Sequence, residues 1–233
     1  IMNNFTYSVP TNIHFEKGQI SHLYGLSESG NKVLLCYGGG SIKKAGIYDE
    51  AVKILKEEDI EIFELSGIAP NPKIESVREG VKLCKENDID MVLAIGGGSV
   101  IDCAKVVAAG ACYDGDPWDL VITPRWIKKA LPIYSVLTLS ATGSEMDPFA
   151  VISDMSKNEK WGTASEHMKP KMSILDPEYT YSVSKKQTAA GTADMISHIC
   201  ENYFTNVKNA DVQARFAEGL LKNCFKYGPI ALE

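Results

Sequence analysis

The run Met91-Val92-Leu93-Ala94-Ile95-Gly96-Gly97-Gly98-Ser99-Val100-Ile101-Asp102 decides how this chain folds. Met91 to Ile95 is apolar without polar alternation, the pattern of a strand buried on both faces of a parallel sheet. Three glycines and a serine stop it, and Val100, Ile101, Ala104, Val107, Ala108 and Ala111 then recur at helical spacing. In open parallel sheets, a turn of this kind lies outside the carboxyl end of a strand, where ligands bind. The first turn of the following helix offers unpaired N–H groups and a positive dipole end to a phosphate. Glycine removes the Cβ atoms that would hold a pyrophosphate away, and Ser99 adds a hydroxyl. A plainer reading stays open: a tight turn with Ser99 as N-cap and Asp102 completing a capping box.

The same unit recurs on either side. Val33 to Tyr37 is an apolar run that stops at Gly38-Gly39-Gly40-Ser41, and Ile47, Ala51, Ile54 and Leu55 follow at helical spacing. Ile60 to Leu65 reads as a strand, and Ile74, Val77, Val81 and Cys84 mark a helix. Ile133 to Thr138 and Met172 to Leu175 read as further strands. This order predicts an α/β fold, a Rossmann-like doubly wound parallel sheet with right-handed crossovers. Near Ser182 the character changes. Ser184 and Gln187 have capping-box spacing and open a helix toward Phe204, and a second helix is expected from Ala210 to Phe225. The division expected is a nucleotide-binding α/β domain over 1–182 and the beginning of an all-helical domain over 183–233. About 50 residues are too few to close a helical core alone, so the chain is expected to end inside a larger architecture.

Composition agrees with a globular chain. Of 233 residues, 45% are apolar and 23% charged, and the net charge is −6, which argues against a nucleic-acid partner. No apolar stretch approaches the roughly 20 residues that span a bilayer, so no membrane partner is expected. No export signal is visible, and Ile1 ahead of Met2 carries no further meaning. The six cysteines form no C-x-x-C pair, and several sit in apolar runs, as buried free thiols do in a reducing, cytoplasmic compartment.

At Gly38–Ser41 the acid that usually holds the ribose 2′-OH of NAD is missing before Asp49, while Lys43 and Lys44 follow. This favours NADP, a flexible turn with two solvated lysines being the alternative. The hydroxyl-rich run Thr138-Leu139-Ser140-Ala141-Thr142-Gly143-Ser144 can bond ribose or amide groups, or its own backbone. Asp194 and His198, four apart, share a helix face and can converge on one divalent cation, although a solvated polar face has the same spacing. Gly191 and Gln187 lie on the same side, and a glycine there lets another element approach closely. His14, His22 and His167 form no second ligand pattern and are expected at the surface or locally bonded.

From about Tyr7 onward the chain resembles the iron-containing, group III alcohol dehydrogenases, and is most similar to their NADPH-dependent butanol dehydrogenase branch. The resemblance rests on Tyr37–Lys44, Gly96–Asp102, Ala141-Thr142-Gly143-Ser144-Glu145-Met146-Asp147, Leu175-Asp176-Pro177, Tyr179-Thr180-Tyr181 and Ala193–His198. It implies a dehydroquinate synthase-like fold with the site between the two domains. By this resemblance Gly97, Gly98, Ser99 and Asp102 line the pyrophosphate, and Gly38, Gly39 and Ser41 meet the 2′-phosphate. Thr138, Ser140, Thr142 and Lys160 lie along the ribose and nicotinamide, while Tyr179 and Val183 flank the cofactor. Asp147, another cofactor contact, stands where relatives often carry Asn. Asp194 and His198 are the first two ligands of a divalent metal, Fe(II) or alternatively Zn(II), and two further histidines are expected from later helices.

The activity implied is reversible hydride transfer between NADP(H) and an aldehyde or primary alcohol such as butanal and butanol, by a homodimer. No residue beyond the metal site is singled out as catalytic, and Cys200 reads as packing. Two alternatives stand beside it: a glycerol dehydrogenase or dehydroquinate synthase relative using NAD and zinc, and a nucleotide-binding module without turnover.

Overall fold

The computed structural model describes residues 6–233, so Ile1 and Met2 lie outside it. Six parallel strands form one sheet: β1 (Asn12–Phe15), β2 (Lys32–Tyr37), β3 (Glu61–Leu65), β4 (Met91–Gly96), β5 (Ile133–Leu137) and β8 (Met172–Leu175). Their spatial order is β1-β8-β5-β4-β2-β3. The chain runs outward from β2 to β3, then returns to build β4, β5 and β8 on the other side. The order therefore reverses between β2 and β4, and both glycine turns leave the sheet at that switch point. An antiparallel hairpin of β6 (Phe149–Asp154) and β7 (Glu159–Ala164) lies outside the sheet.

Apolar side chains fill both faces, as expected of strands without polar alternation. On one face Leu34, Val92, Ala94 and Ile133 pack with α3 (Ile74–Asn87), α4 (Gly98–Ala111) and α5 (Pro117–Ile122). On the other, Val33, Leu35, Leu93 and Val136 pack with α1 (Ser41–Lys44), α2 (Ile47–Glu57) and the short turns around Ile20 and Leu26. Helices on both faces make the sheet doubly wound, as predicted.

The β6–β7 hairpin, β1 and α5 escape the sequence reading. The hairpin has strands whose outer residues are exposed, so neither the buried-strand pattern nor clean alternation stands out. The strand β1 is short and exposed at the sheet edge. The six-residue α5 is too short for periodicity, although Asp116 caps it by accepting from Trp118 N and Pro117 opens it.

After β8 the chain is helical: α6 (Lys185–Tyr203) and α7 (Asp211–Ile230). Ser184 Oγ accepts from Gln187 N at 3.3 Å, so the expected cap forms and Phe204 ends the helix. Much of α7 is exposed, including Phe216, Leu220 and Phe225. Among the described residues no helix is long and apolar enough to cross a membrane. All six cysteines are free; Cys36, Cys84 and Cys103 are buried, Cys200 and Cys224 half-buried, and Cys112 exposed. Burial pushes the Cys84 and Cys103 thiols up to about 12.

Candidate active site

Two cavities flank the turn at the end of β4. The smaller, of about 180 Å³, lies at the switch point and is lined by Gly38, Ser41, Gly97, Thr138, Tyr179 and Val183. The larger, of about 770 Å³, continues from Gly98 and Ser99 past Asp102, Thr142, Asp147 and Lys160 to Asp194 and His198 on α6. The sequence candidates divide between them: Gly97 and Thr138 line the smaller cavity with Gly38, Ser41, Tyr179 and Val183, and the pyrophosphate candidates Gly98, Ser99 and Asp102 line the larger with Thr142, Asp147, Lys160, Asp194 and His198. Two candidates stand apart. Gly39 is exposed at the tip of its turn. Ser140 faces a third cavity of about 670 Å³ between its loop, α6 and α7, which Val183 also lines.

The backbone at Gly97 explains why the turn can receive an anion. Gly97 caps α4 without a side-chain bond, and its carbonyl accepts from Val100 N and Ile101 N at 3.0 and 3.2 Å. Gly98 N and Ser99 N belong to the first turn and have no helical acceptor. Ser99 is therefore inside the helix, not its cap, which corrects the plainer reading. Gly98 has a packing reason as well: a Cβ there would lie 2.4 Å from Thr142 Oγ1.

Asn71 joins these groups and was not among the sequence candidates. Its N–H donates to Ser99 Oγ at 3.2 Å, and its Oδ1 accepts from Lys160 Nζ at 2.7 Å. Ser99 keeps its own proton free to donate. The available signal was Asn71-Pro72, with Asn71 at φ 53°, a turn residue beside a strand-end cleft.

Asp102 is held on two sides: Oδ1 accepts from Ser144 Oγ at 2.6 Å and Oδ2 from Val151 N at 2.9 Å. Burial nevertheless raises its carboxyl above the usual range, against those two bonds. Below it lies Lys105, fully buried, whose ammonium is 2.8 Å from Asp147 Oδ1. Burial lowers the Lys105 value, and Asp147 opposes that. Removing one partner of such a pair costs roughly 3–5 kcal/mol, because the other is left uncompensated. The sequence signal was available: between Val100 and Ala111, Asp102 and Lys105 are the only charges in an otherwise apolar helix, and such a helix is buried.

At the adenosine end, Lys43 is not simply solvated. Its ammonium lies 4.9 Å and 4.2 Å from the Tyr37 and Tyr48 ring centroids and 3.8 Å from Glu64 Oε2. Both tyrosine hydroxyls donate to Glu64. Burial pushes the Glu64 carboxyl up, but these hydroxyls and Lys43 outweigh it and hold it below its ordinary value. Tyr179 donates to Glu50 at 3.3 Å, and burial, then the Glu50 charge, raise its phenol.

The Asp194–His198 pair spans 3.7 Å between Oδ1 and Nε2, and both side chains are partly exposed toward the large cavity. As an oxygen and an imidazole donor one turn apart, they fit two positions of a divalent cation. Among the described residues no group of three or more potential donors surrounds one point, so these two alone would leave the other positions of a cation open.

Comparison with known proteins follows this geometry. Residues 10–177 match the family model for iron-containing alcohol dehydrogenase. The chain is 57% identical over its whole length to NADH-dependent butanol dehydrogenase A of Clostridium acetobutylicum and spans 60% of that protein. It is 43% identical to the NADPH-dependent aldehyde reductase YqhD of Escherichia coli, again spanning 60% of it. The crystal structure of an NADH-dependent butanol dehydrogenase A from Thermotoga maritima superposes with a TM-score of 0.94 at 45% identity, over 98% of this chain and 57% of that one. The parallel sheet, its switch point and these matches agree: the chain belongs to the iron-containing alcohol dehydrogenase family and has its Rossmann-like, dehydroquinate synthase-like fold.

Proposed function

We propose that this chain carries the cofactor-binding part of an oxidoreductase that moves hydride reversibly between NADP(H) and an aldehyde or primary alcohol, butanal and butanol being representative. The observation that carries the reading is the placing of two cavities around the turn that follows β4. The acid-free Gly38–Ser41 turn lines one, and the free N–H groups at Gly98 and Ser99 share the other with Asp194 and His198. A dinucleotide needs such a succession of sites, anion-binding at its middle and polar at its reactive end.

In this reading Gly97, Gly98, Ser99 and Asp102 line the pyrophosphate. Gly38, Gly39 and Ser41 meet the 2′-phosphate, and Tyr179 and Val183 flank the adenosine. Thr138, Ser140, Thr142 and Lys160 lie along the ribose and nicotinamide, and Asp147 adds a further contact on the same cavity wall as Asp102. Asp194 and His198 would hold Fe(II) or Zn(II), which when bound supplies Lewis acidity toward the substrate oxygen. The residues 1–182 act as the nucleotide-binding unit, and 183–233 open the metal-binding one. Buried thiols suit a reducing cytoplasm. The exposed edge strand β1, with Ile13 and Phe15 outward, suits a homodimer contact.

The engagement of Lys43 by Glu64 favours a second reading for the cofactor, NAD(H), since it withdraws a cation from the 2′ position. The chain spans about 60% of its curated relatives, so turnover is assayed in a chain extended to their length. Titration with NADPH and NADH by fluorescence, and butanal reduction by the extended chain with Fe(II), test the proposal. Tighter NADPH binding and metal-dependent reduction are expected; absence of binding by either dinucleotide overturns it.

A further inference from the structure

The buried charge of α4 has no part in the chemistry above, yet it stands beneath the cofactor wall. Lys105 Nζ lies within 2.9 Å of four oxygens: Ser144 Oγ, Asp147 Oδ1, Asp147 O and Phe149 O. An ammonium has three protons, so every one is engaged. Ser144 passes this contact on, donating to Asp102 at 2.6 Å, and Asp102 in turn accepts from Val151 N. One cation thus fastens the Ser144–Phe149 segment and the root of the β6–β7 hairpin to α4.

The large cavity is short of positive charge. Asp102, Asp147, Asp194 and Glu201 all line it, against the ammonium of Lys160. A pyrophosphate entering it approaches the Asp102 and Asp147 carboxylates, and Lys105 is the counter-charge behind them, itself out of reach of the ligand. We propose that Lys105 is a positioning residue for the dinucleotide: it neutralises Asp147, aims Asp102 through Ser144, and so sets the affinity for an anionic cofactor it never touches. This deepens the functional reading above and rests on it.

The test compares NADPH dissociation constants and melting temperatures for the parent chain, Lys105→Met, Lys105→Met/Asp147→Asn and Ser144→Ala. Lys105→Met is expected to weaken NADPH binding at least about tenfold, as when a buried charge pair loses one partner. Adding Asp147→Asn is expected to recover most of that affinity, because the uncompensated carboxylate is gone. Ser144→Ala removes the hydroxyl that joins Lys105 to Asp102 but leaves the Lys105–Asp147 pair in place, and is expected to weaken binding several-fold with a smaller loss of melting temperature than Lys105→Met. If Lys105→Met does not fold, the double variant and Ser144→Ala decide. Unchanged affinity in Ser144→Ala, or no difference between the single and double Lys105 variants, overturns the proposal. Failure of the parent chain to bind NADPH or NADH overturns the functional reading instead.

Discussion

A Cβ placed on Gly191 of α6 would stand 2.7 Å from the carbonyl oxygen of Ser140. The helix bearing Asp194 and His198 is therefore seated directly on the loop that follows β5, backbone against backbone.

Gly191→Ala tests that seat. Alanine gains up to ~1 kcal/mol over glycine in helix propensity, but overpacking costs about 1–3 kcal/mol and here the obstacle is main chain. The expected outcome is a lower melting temperature and weaker NADPH binding, because helix and loop must part. An unchanged or raised melting temperature would show that the contact yields freely.

Asp194→Ala and His198→Ala, made in the extended chain, are expected to lower metal content and butanal reduction together. Neither side chain supports the core, since both are partly exposed and their mutual contact is 3.7 Å. Melting temperature and dinucleotide affinity should therefore stay near the parent's. Metal analysis is the deciding measurement, and full occupancy in both variants would remove the pair from the ligand set.

The sheet was legible because buried parallel strands carry a continuous apolar signal, and the turns because glycines end those strands at one edge. Asp194 and His198 were legible as one face of a helix, since four residues make about one turn. Lys105 and Asn71 were missed, although each left a trace. A charged residue in a helix reads as solvent-facing unless the whole helix is recognised as buried, and Asn71 acquires its partners only when the hairpin carrying Lys160 folds over it. The hairpin itself was missed because β6 and β7 find their burial against α4 and α5, beyond the reach of local pattern. The contacts of Lys43 were out of reach for the same reason, its partner Glu64 coming from the neighbouring strand.

That Lys43–Glu64 pair gives a cofactor-preference test. Glu64→Gln keeps the shape of the side chain but removes the charge that competes for the ammonium, which is then available to a nearby phosphate. The ratio of NADPH to NADH affinity is expected to rise. Ser41→Asp is expected to lower the same ratio by repelling the 2′-phosphate. Parallel titrations of both dinucleotides read the result, and a ratio that moves in neither variant would detach this turn from cofactor choice.

The edge of the sheet should respond to mild acid. His14 on β1 stacks on His22, their ring centroids 3.5 Å apart and the planes 18° from parallel. Burial, and then the neighbouring imidazole, hold His14 below its ordinary value of 6.5. The unfolded chain takes up a proton that the folded chain resists, so this contribution is complete above that value. It declines as pH falls through it and levels off below the folded-state value. The depressed carboxyls, such as Glu58 and Asp154, act separately at lower pH. His22→Gln removes the second imidazole and leaves a polar side chain at an exposed position. Urea midpoints measured between about pH 7 and pH 5 should fall less steeply in His22→Gln than in the parent. Equal slopes would mean that the stacked pair does not govern stability in this range.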